Sequence, residues 1–328
     1  MKHVRRSLLL PGLVLASVVG LSVHGRSAGQ AAPVGPAGQL GQSFSSTMPE
    51  VAEHRYRMVA KIRPLLLFWV GRDNVGGARI IWRRGADGAR GWELLIGSDP
   101  LRAPTHVNRW GYIREEATDA DVSMLGVMKQ SDEQSLDEAK SRTQDESRSG
   151  YVYKLIRTHV SHGESDAVVT TSTFSHDFTY RDLPALLRGF ESQPVRTGMP
   201  KQVRIAQGAK PGFLVAIADL IHDSVYAFHH SGVSGLTRRT VAYVYYGRVY
   251  DMAIDAPRVL KGARYGNRTY PTLLSADFEV RNTTGGSKEQ FSVVYGVDGA
   301  IEEVPIYIAY QPRWWFKAEL LLDEGERF

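Results

Sequence analysis

Apolar and polar positions alternate with a period of two through much of the second half of this chain. Tyr250, Met252 and Ile254 fall on one face, against Asp251 and Asp255. Phe278 and Val280 oppose Glu279 and Arg281. Trp314, Phe316, Ala318, Leu320 and Leu322 oppose Trp315, Lys317 and Glu319. Successive strand residues point to opposite faces, so this pattern predicts strands with one dry and one wet side. Six are expected, at 240–246, 248–255, 275–282, 290–295, 304–311 and 314–322, with turns at Gly247, Gly285-Gly286 and Pro312. A sheet dry on one face only is antiparallel and covered on one side.

The cover is predicted just upstream. From Pro211 to about His229 the period changes to that of a helix. Phe213, Leu214, Ile217, Leu220, Ile221, Val225 and Phe228 make one apolar stripe, with Asp219, His222, Asp223 and Tyr226 mostly opposite. Such a helix is built to lie on a sheet. In the first half, 53–70 reads as one long or two broken strands, Asp73-Asn74-Val75-Gly76-Gly77 as a turn, and 78–84 and 91–97 as further strands. The stretch near 98–204 is less regular. It carries a capping box at Ser131-Asp132-Glu133-Gln134 before a surface helix to about 142, a charged loop at 141–150, strands at 151–160 and 168–174, and a short helix around Leu183, Leu187 and Phe190. The fold class is mainly β (α+β): a curved antiparallel sheet or half barrel wrapped around an amphipathic helix.

Several features occur in a familiar order. They are Val75-Gly76-Gly77-Ala78, the helix with Ala218-Asp219-Leu220-Ile221, the hairpin Tyr245-Tyr246-Gly247-Arg248-Val249-Tyr250, and the last hairpin from Val304-Pro305-Ile306-Tyr307 to Leu322. In these the chain resembles a bacterial periplasmic family of unknown function whose fold is similar to the lipoprotein-localisation carriers. The resemblance covers 51–97 and 205–323. It implies a half barrel around a helix and carries over no active-site residue.

Composition adds an address. Lys2, Arg5 and Arg6 precede an uncharged run from Ser7 to Leu21, and small residues lead to Ala28, Ala31 and Ala32. That order predicts a secretory signal peptide over 1–31. An uncleaved anchor is the alternative, but the run is shorter than the roughly twenty apolar residues a span needs and is broken by Pro11-Gly12. A lead-in at 32–48 and one β-rich domain at 49–328 follow, and no transmembrane segment is expected in the mature chain. The protein is expected to be periplasmic or secreted. It contains no cysteine, so it carries no lipoprotein attachment residue and no disulfide. Four of its 40 basic residues lie in the first 31 positions, leaving 36 against 35 acids. Nucleic-acid binders show a strong clustered excess, so no nucleic-acid partner is expected despite a pI near 9.3.

The candidate chemistry is thin. His159, His162 and Glu164 are metal-capable, but strand residues three apart point to opposite faces, so no metal is expected. Asp219, His222, Asp223 and Tyr226 can meet on one helix face and form the best polar cluster. Ser175-His176-Asp177 is too contiguous for a triad. Ser231 to Gly235 has the wrong context for a nucleophile elbow. Glu115-Glu116 and Asp119 with Asp121 read as a solvated loop. No catalytic residue and no cofactor are assigned. The aromatics of the last strands read either as core and cross-strand pairs or as a concave wall for a ligand, lined by Tyr250, Met252, Tyr310, Trp314 and Phe316. The leading function is a non-enzymatic exported protein binding a lipid-like small molecule or an envelope protein. A structural envelope component is the alternative, and a hydrolase using Asp219 or His222 a third.

Overall fold

The computed structural model describes residues 46, 48–63, 69–85, 88–99, 101–103, 110–118, 121–129, 152–161, 166–175, 196–204, 209–210, 212–245, 248–283, 288–313 and 316–323. The sixteen strands are β1 (Glu50–Ile62), β2 (Val70–Arg84), β3 (Arg90–Ser98), β4 (Trp110–Ala117), β5 (Asp121–Lys129), β6 (Val152–Ser161), β7 (Asp166–Ser175), β8 (Arg196–Thr197), β9 (Lys201–Arg204), β10 (Arg239–Tyr245), β11 (Arg248–Ile254), β12 (Arg258–Tyr265), β13 (Arg268–Asn282), β14 (Lys288–Gly296), β15 (Pro305–Arg313) and β16 (Phe316–Asp323). Helix α1 (Phe213–Ser231) precedes β10.

All the ladders are antiparallel and join into one continuous sheet. Its order is β10, β11, β13, β14, β15, β16, β1, β2, β3, β4, β5, β6, β7, β8, with β12 added beside β13 and β9 beside β7. Two meanders are thus welded where β1 meets β16, from Arg55↔Asp323 to Ile62↔Phe316. Helix α1 contacts β10 and β11 at one end of this order and also β3 and β4 far along it. A single helix reaches both only if the sheet curls around it. The curl stops short of closure. Among the described residues no ladder joins β10 to β7 or β9. Lys210 bridges to β10 alone, giving its N–H to Ala242 O (2.7 Å) and accepting from Val244 N–H (2.8 Å). Val160, Ala167 and Val244 pack across the gap.

The expected fold class holds: an antiparallel sheet, not closed into a barrel, around the amphipathic helix. The main core lies inside the curl, where Phe213, Leu220, Ile221 and Val225 of α1 meet Met252, Phe278, Val293 and Leu320 of the sheet. At the weld, the buried Glu319 carboxylate is gripped from three strand positions. Lys61 Nζ lies at 2.6 Å, Lys317 Nζ at 2.9 Å, and Tyr307 Oη donates at 2.8 Å.

Several expectations need correction. The turn at 73–77 is interior to β2. Asn74 takes a left-handed φ of 54°, and the glycines serve close approach. A Cβ on Gly76 would stand 2.1 Å from Gly97 O, and one on Gly77 2.7 Å from Tyr56 O. The irregular stretch 98–204 contributes β4 and β5 to the main sheet. β4 hid because its dry face carries Glu115, which breaks the alternation. β12 hid because Arg258, Lys261 and Arg264 keep it polar and Gly262 interrupts it; it is an exposed arm with little dry face. The expected helices at 132–142 and near 183–190, and most of the apolar run 65–70, lie outside the described residues.

Gly76→Ala should lower stability by about 1–3 kcal/mol, the range for forcing extra volume into packed structure. Urea denaturation should show an earlier midpoint with an unchanged slope.

Candidate ligand cavity

The apolar stripe of α1 does not seat flush on the sheet. Between them lies a cavity of ≈ 390 Å³. Its roof is Phe213, Leu214, Ile217, Ala218 and Ile221 of α1. One wall is Ile80, Leu94 and Ile96 from β2 and β3; the other is Phe291, Val293, Ile308, Tyr310 and Leu320 from β14 to β16. β1 runs between these two walls. The charged lining consists of Arg83, Arg84 and Arg90 on the β2–β3 hairpin, His222 on α1 and Glu303 just before β15. Small-molecule pockets occupy roughly 300–1,000 Å³ and are mostly apolar with a few placed polar groups. A sealed void of this size would cost about 9 kcal/mol at ~24 cal/mol per Å³. This one opens at the rim, so it exposes apolar wall to water, and an apolar occupant removes that exposure.

The sequence-selected ligand residues are distributed differently. Tyr310 lines the cavity, and its Oη donates to Glu289 Oε2 (2.7 Å). Tyr250, Met252 and Phe316 are buried in the core beside it and are not part of its lining. Tyr250 stacks on Tyr243 with centroids 5.3 Å apart, in an aromatic layer where Phe213 lies 5.9 Å from Tyr243 and 6.4 Å from Phe291. Trp314 lies outside the described residues. The walls from β2 and β3 were missed, because nothing local shows that Ile80 and Leu94 will face Val293 and Leu320.

The polar cluster of α1 disperses to separate partners. Asp219 pairs with Lys210 (2.7 Å) and more distantly with Arg90 (4.0 Å). His222 Nδ1 lies 2.6 Å from Glu303 Oε1. Asp223 pairs with Arg239 (3.0 Å). Tyr226 is exposed and stacks on His230 at 3.9 Å. Among the described residues no three His, Asp or Glu side chains converge as metal ligands. His159 sits near Asp121 (3.6 Å); His162 and Glu164 are outside the described residues.

One acid expected in solvent from the sequence is instead buried. Glu115 is fully buried on β4. Its Oε2 accepts from Val215 N–H (2.8 Å), so the carboxyl caps the first turn of α1. The N-terminus of a helix presents unpaired N–H groups and partial positive charge, and an acid there answers both. Gly212, the residue before the helix, is extended (φ −149°), a conformation open to any residue. Glycine is required there for space, because a Cβ would stand 2.2 Å from Glu115 Oε2. Burial raises the Glu115 pKa to about 7, against the N–H groups of Val215, Leu214 and Phe213, which pull it down. Oε1 is buried with no hydrogen-bond partner, so nothing there offsets the cost of its charge. Glu115 is not part of the cavity lining. Its place is under the helix end, where it fixes the roof.

No protein family model matches the chain, and no curated protein matches it. Among solved structures it is similar to a crystal structure described as a β-barrel-like protein of domain of unknown function DUF1849 from Brucella abortus. The TM-score is 0.45 at 10% identity, over 83% of this chain and 95% of that one. What the cavity does is therefore read from its own residues.

The Glu115 carboxyl titrates near 7 in the folded chain and near 4.5 unfolded. The folded state therefore binds the proton more tightly, and this group's contribution is lost as pH rises from about 4.5 to 7. At roughly 1.4 kcal/mol per pKa unit, the loss amounts to about 3 kcal/mol. Glu115→Gln keeps an acceptor for Val215 N–H without the charge. Relative to the parent, it should gain about 2.5 kcal/mol in urea denaturation between pH 5 and pH 8. A constant difference at both values would show that this carboxyl does not titrate there.

Proposed function

We propose that the protein is an exported, non-enzymatic binder of an apolar chain, held in the cavity between α1 and the curved sheet. One observation carries this reading: the space is walled mostly by aliphatic and aromatic side chains, and of its charged lining groups Arg84, Arg90 and His222 are exposed to solvent. Such a site recognises by excluding water, and the His222–Glu303 pair in its lining has no serine or threonine among the lining residues to activate. The dispersed partners of Asp219, His222 and Asp223 favour binding over hydrolysis. Export rests on the basic, apolar and small order of residues 1–32. Among the described residues no helix is long and apolar enough to cross a membrane.

The exported protein should raise the fluorescence of the apolar dye N-phenyl-1-naphthylamine saturably, and native mass spectrometry should find a co-purified small molecule. Ile217 projects from the roof into the space. Ile217→Trp fills it and should weaken dye binding at least tenfold while the circular dichroism spectrum is kept. A chain that binds no dye and carries no ligand would end this reading.

A further inference from the structure

The charged lining of the cavity is electrically lopsided. Arg84 and Arg90 stand directly opposite each other in the β2–β3 ladder, and both are exposed. Like charges facing across a strand pair destabilise it, so this arrangement favours anything negative that bridges them. Neighbouring Arg83 is already committed: it grips Glu93 through Nε (2.9 Å) and Nη2 (2.8 Å) and donates to Met48 O. Arg90 is steadied over the Trp92 ring at 5.3 Å. Its nearest carboxylate, Asp219, is 4.0 Å away and is held more closely by Lys210. Arg84 makes no ion pair among the described residues. The other charged lining residues, His222 and Glu303, pair with each other. Among the described lining residues, the unspent positive charge is therefore on the hairpin side.

Building on the apolar-chain reading above, we infer that the ligand is an amphiphile with an anionic head, its chain under α1 and its acid oxygens between Arg84 and Arg90. Guanidinium groups present planar forks of N–H donors that match carboxylate and phosphate oxygens, two bonds at a time. The amphipathic ring of Trp92, which lines the space beside Arg90, suits the boundary between chain and head. Carboxylate and phosphate monoester share the chemistry this pair reads.

The test is displacement of N-phenyl-1-naphthylamine from the exported protein by tetradecanol, tetradecanoate and tetradecyl phosphate, each below its micelle concentration. The two acids should bind at least tenfold more tightly than the alcohol. The exposed double variant Arg84→Gln, Arg90→Gln should bring them to the level of the alcohol while leaving the alcohol unchanged, which also certifies its fold. Equal affinities of acid and alcohol in the parent chain would overturn the headgroup assignment and leave the cavity reading standing. So would an acid preference that survives in the double variant. Failure of all three to bind would remove the cavity reading and this inference with it. Inorganic phosphate at millimolar concentration should not displace tetradecyl phosphate; if it does, the arginines serve a free anion and the amphiphile is wrong.

Discussion

The pairing of β1 with β16 is the constraint on which the architecture rests. It joins residues 55–62 to 316–323 in eight consecutive partners and turns two separate meanders into one sheet. Without it the wall built by β2 and β3 would have no fixed relation to the wall built by β14 to β16, and no enclosed space would exist between them. The joint is secured from both sides. Inside, Met58, Ala60, Phe316 and Leu320 are buried in the common core. On the other face Glu319 collects two lysines and a tyrosine hydroxyl. A buried carboxylate is costly unless its lone pairs are answered, and three donors answer these.

The helix depends on a second, smaller fixture. Its apolar stripe explains that it lies inside the curl, but not where along the curl it begins. Glu115 supplies that position by presenting its carboxyl to the first turn, and Gly212 supplies the room. The roof is thus pinned at one end to β4. At the other, His229 Nε2 lies 2.7 Å from Val297 O, beyond the end of β14. Between these points Leu214, Ile217 and Ala218 stand away from the sheet and leave the space beneath them open.

What the sequence discloses follows from the range of the interactions. β11, β13 and β16 were legible because alternation is a local consequence of one dry face, and α1 because its stripe repeats at helical spacing. β4 was not, since a buried acid replaced the expected apolar residue and the pairing with Trp92, Met124 and the helix that permits it is remote in sequence. Gly76 and Gly77 mimic a turn because close strand approach and chain reversal both select glycine. Of the cavity, Tyr310 was visible as part of the aromatic concentration in the last strands. Ile80 and Leu94 were invisible as ligand residues, since only the closure of β1 on β16 gives them something to face. The α1 polar cluster shows the converse. Asp219, His222 and Asp223 stand on one helix, yet each has a partner on a different part of the chain.

The incomplete ring has a mechanical meaning. Along every other boundary the wall can widen only by unzipping a ladder. At the gap beside β10 the described contacts are the packing of Val160 and Ala167 on Val244, with Lys210 tied to β10 by two backbone bonds. That line is also where the chain enters the roof, two residues before Gly212. The curled sheet is therefore slit along the same line that feeds the chain into α1, so the side held by packing is the side on which the roof begins.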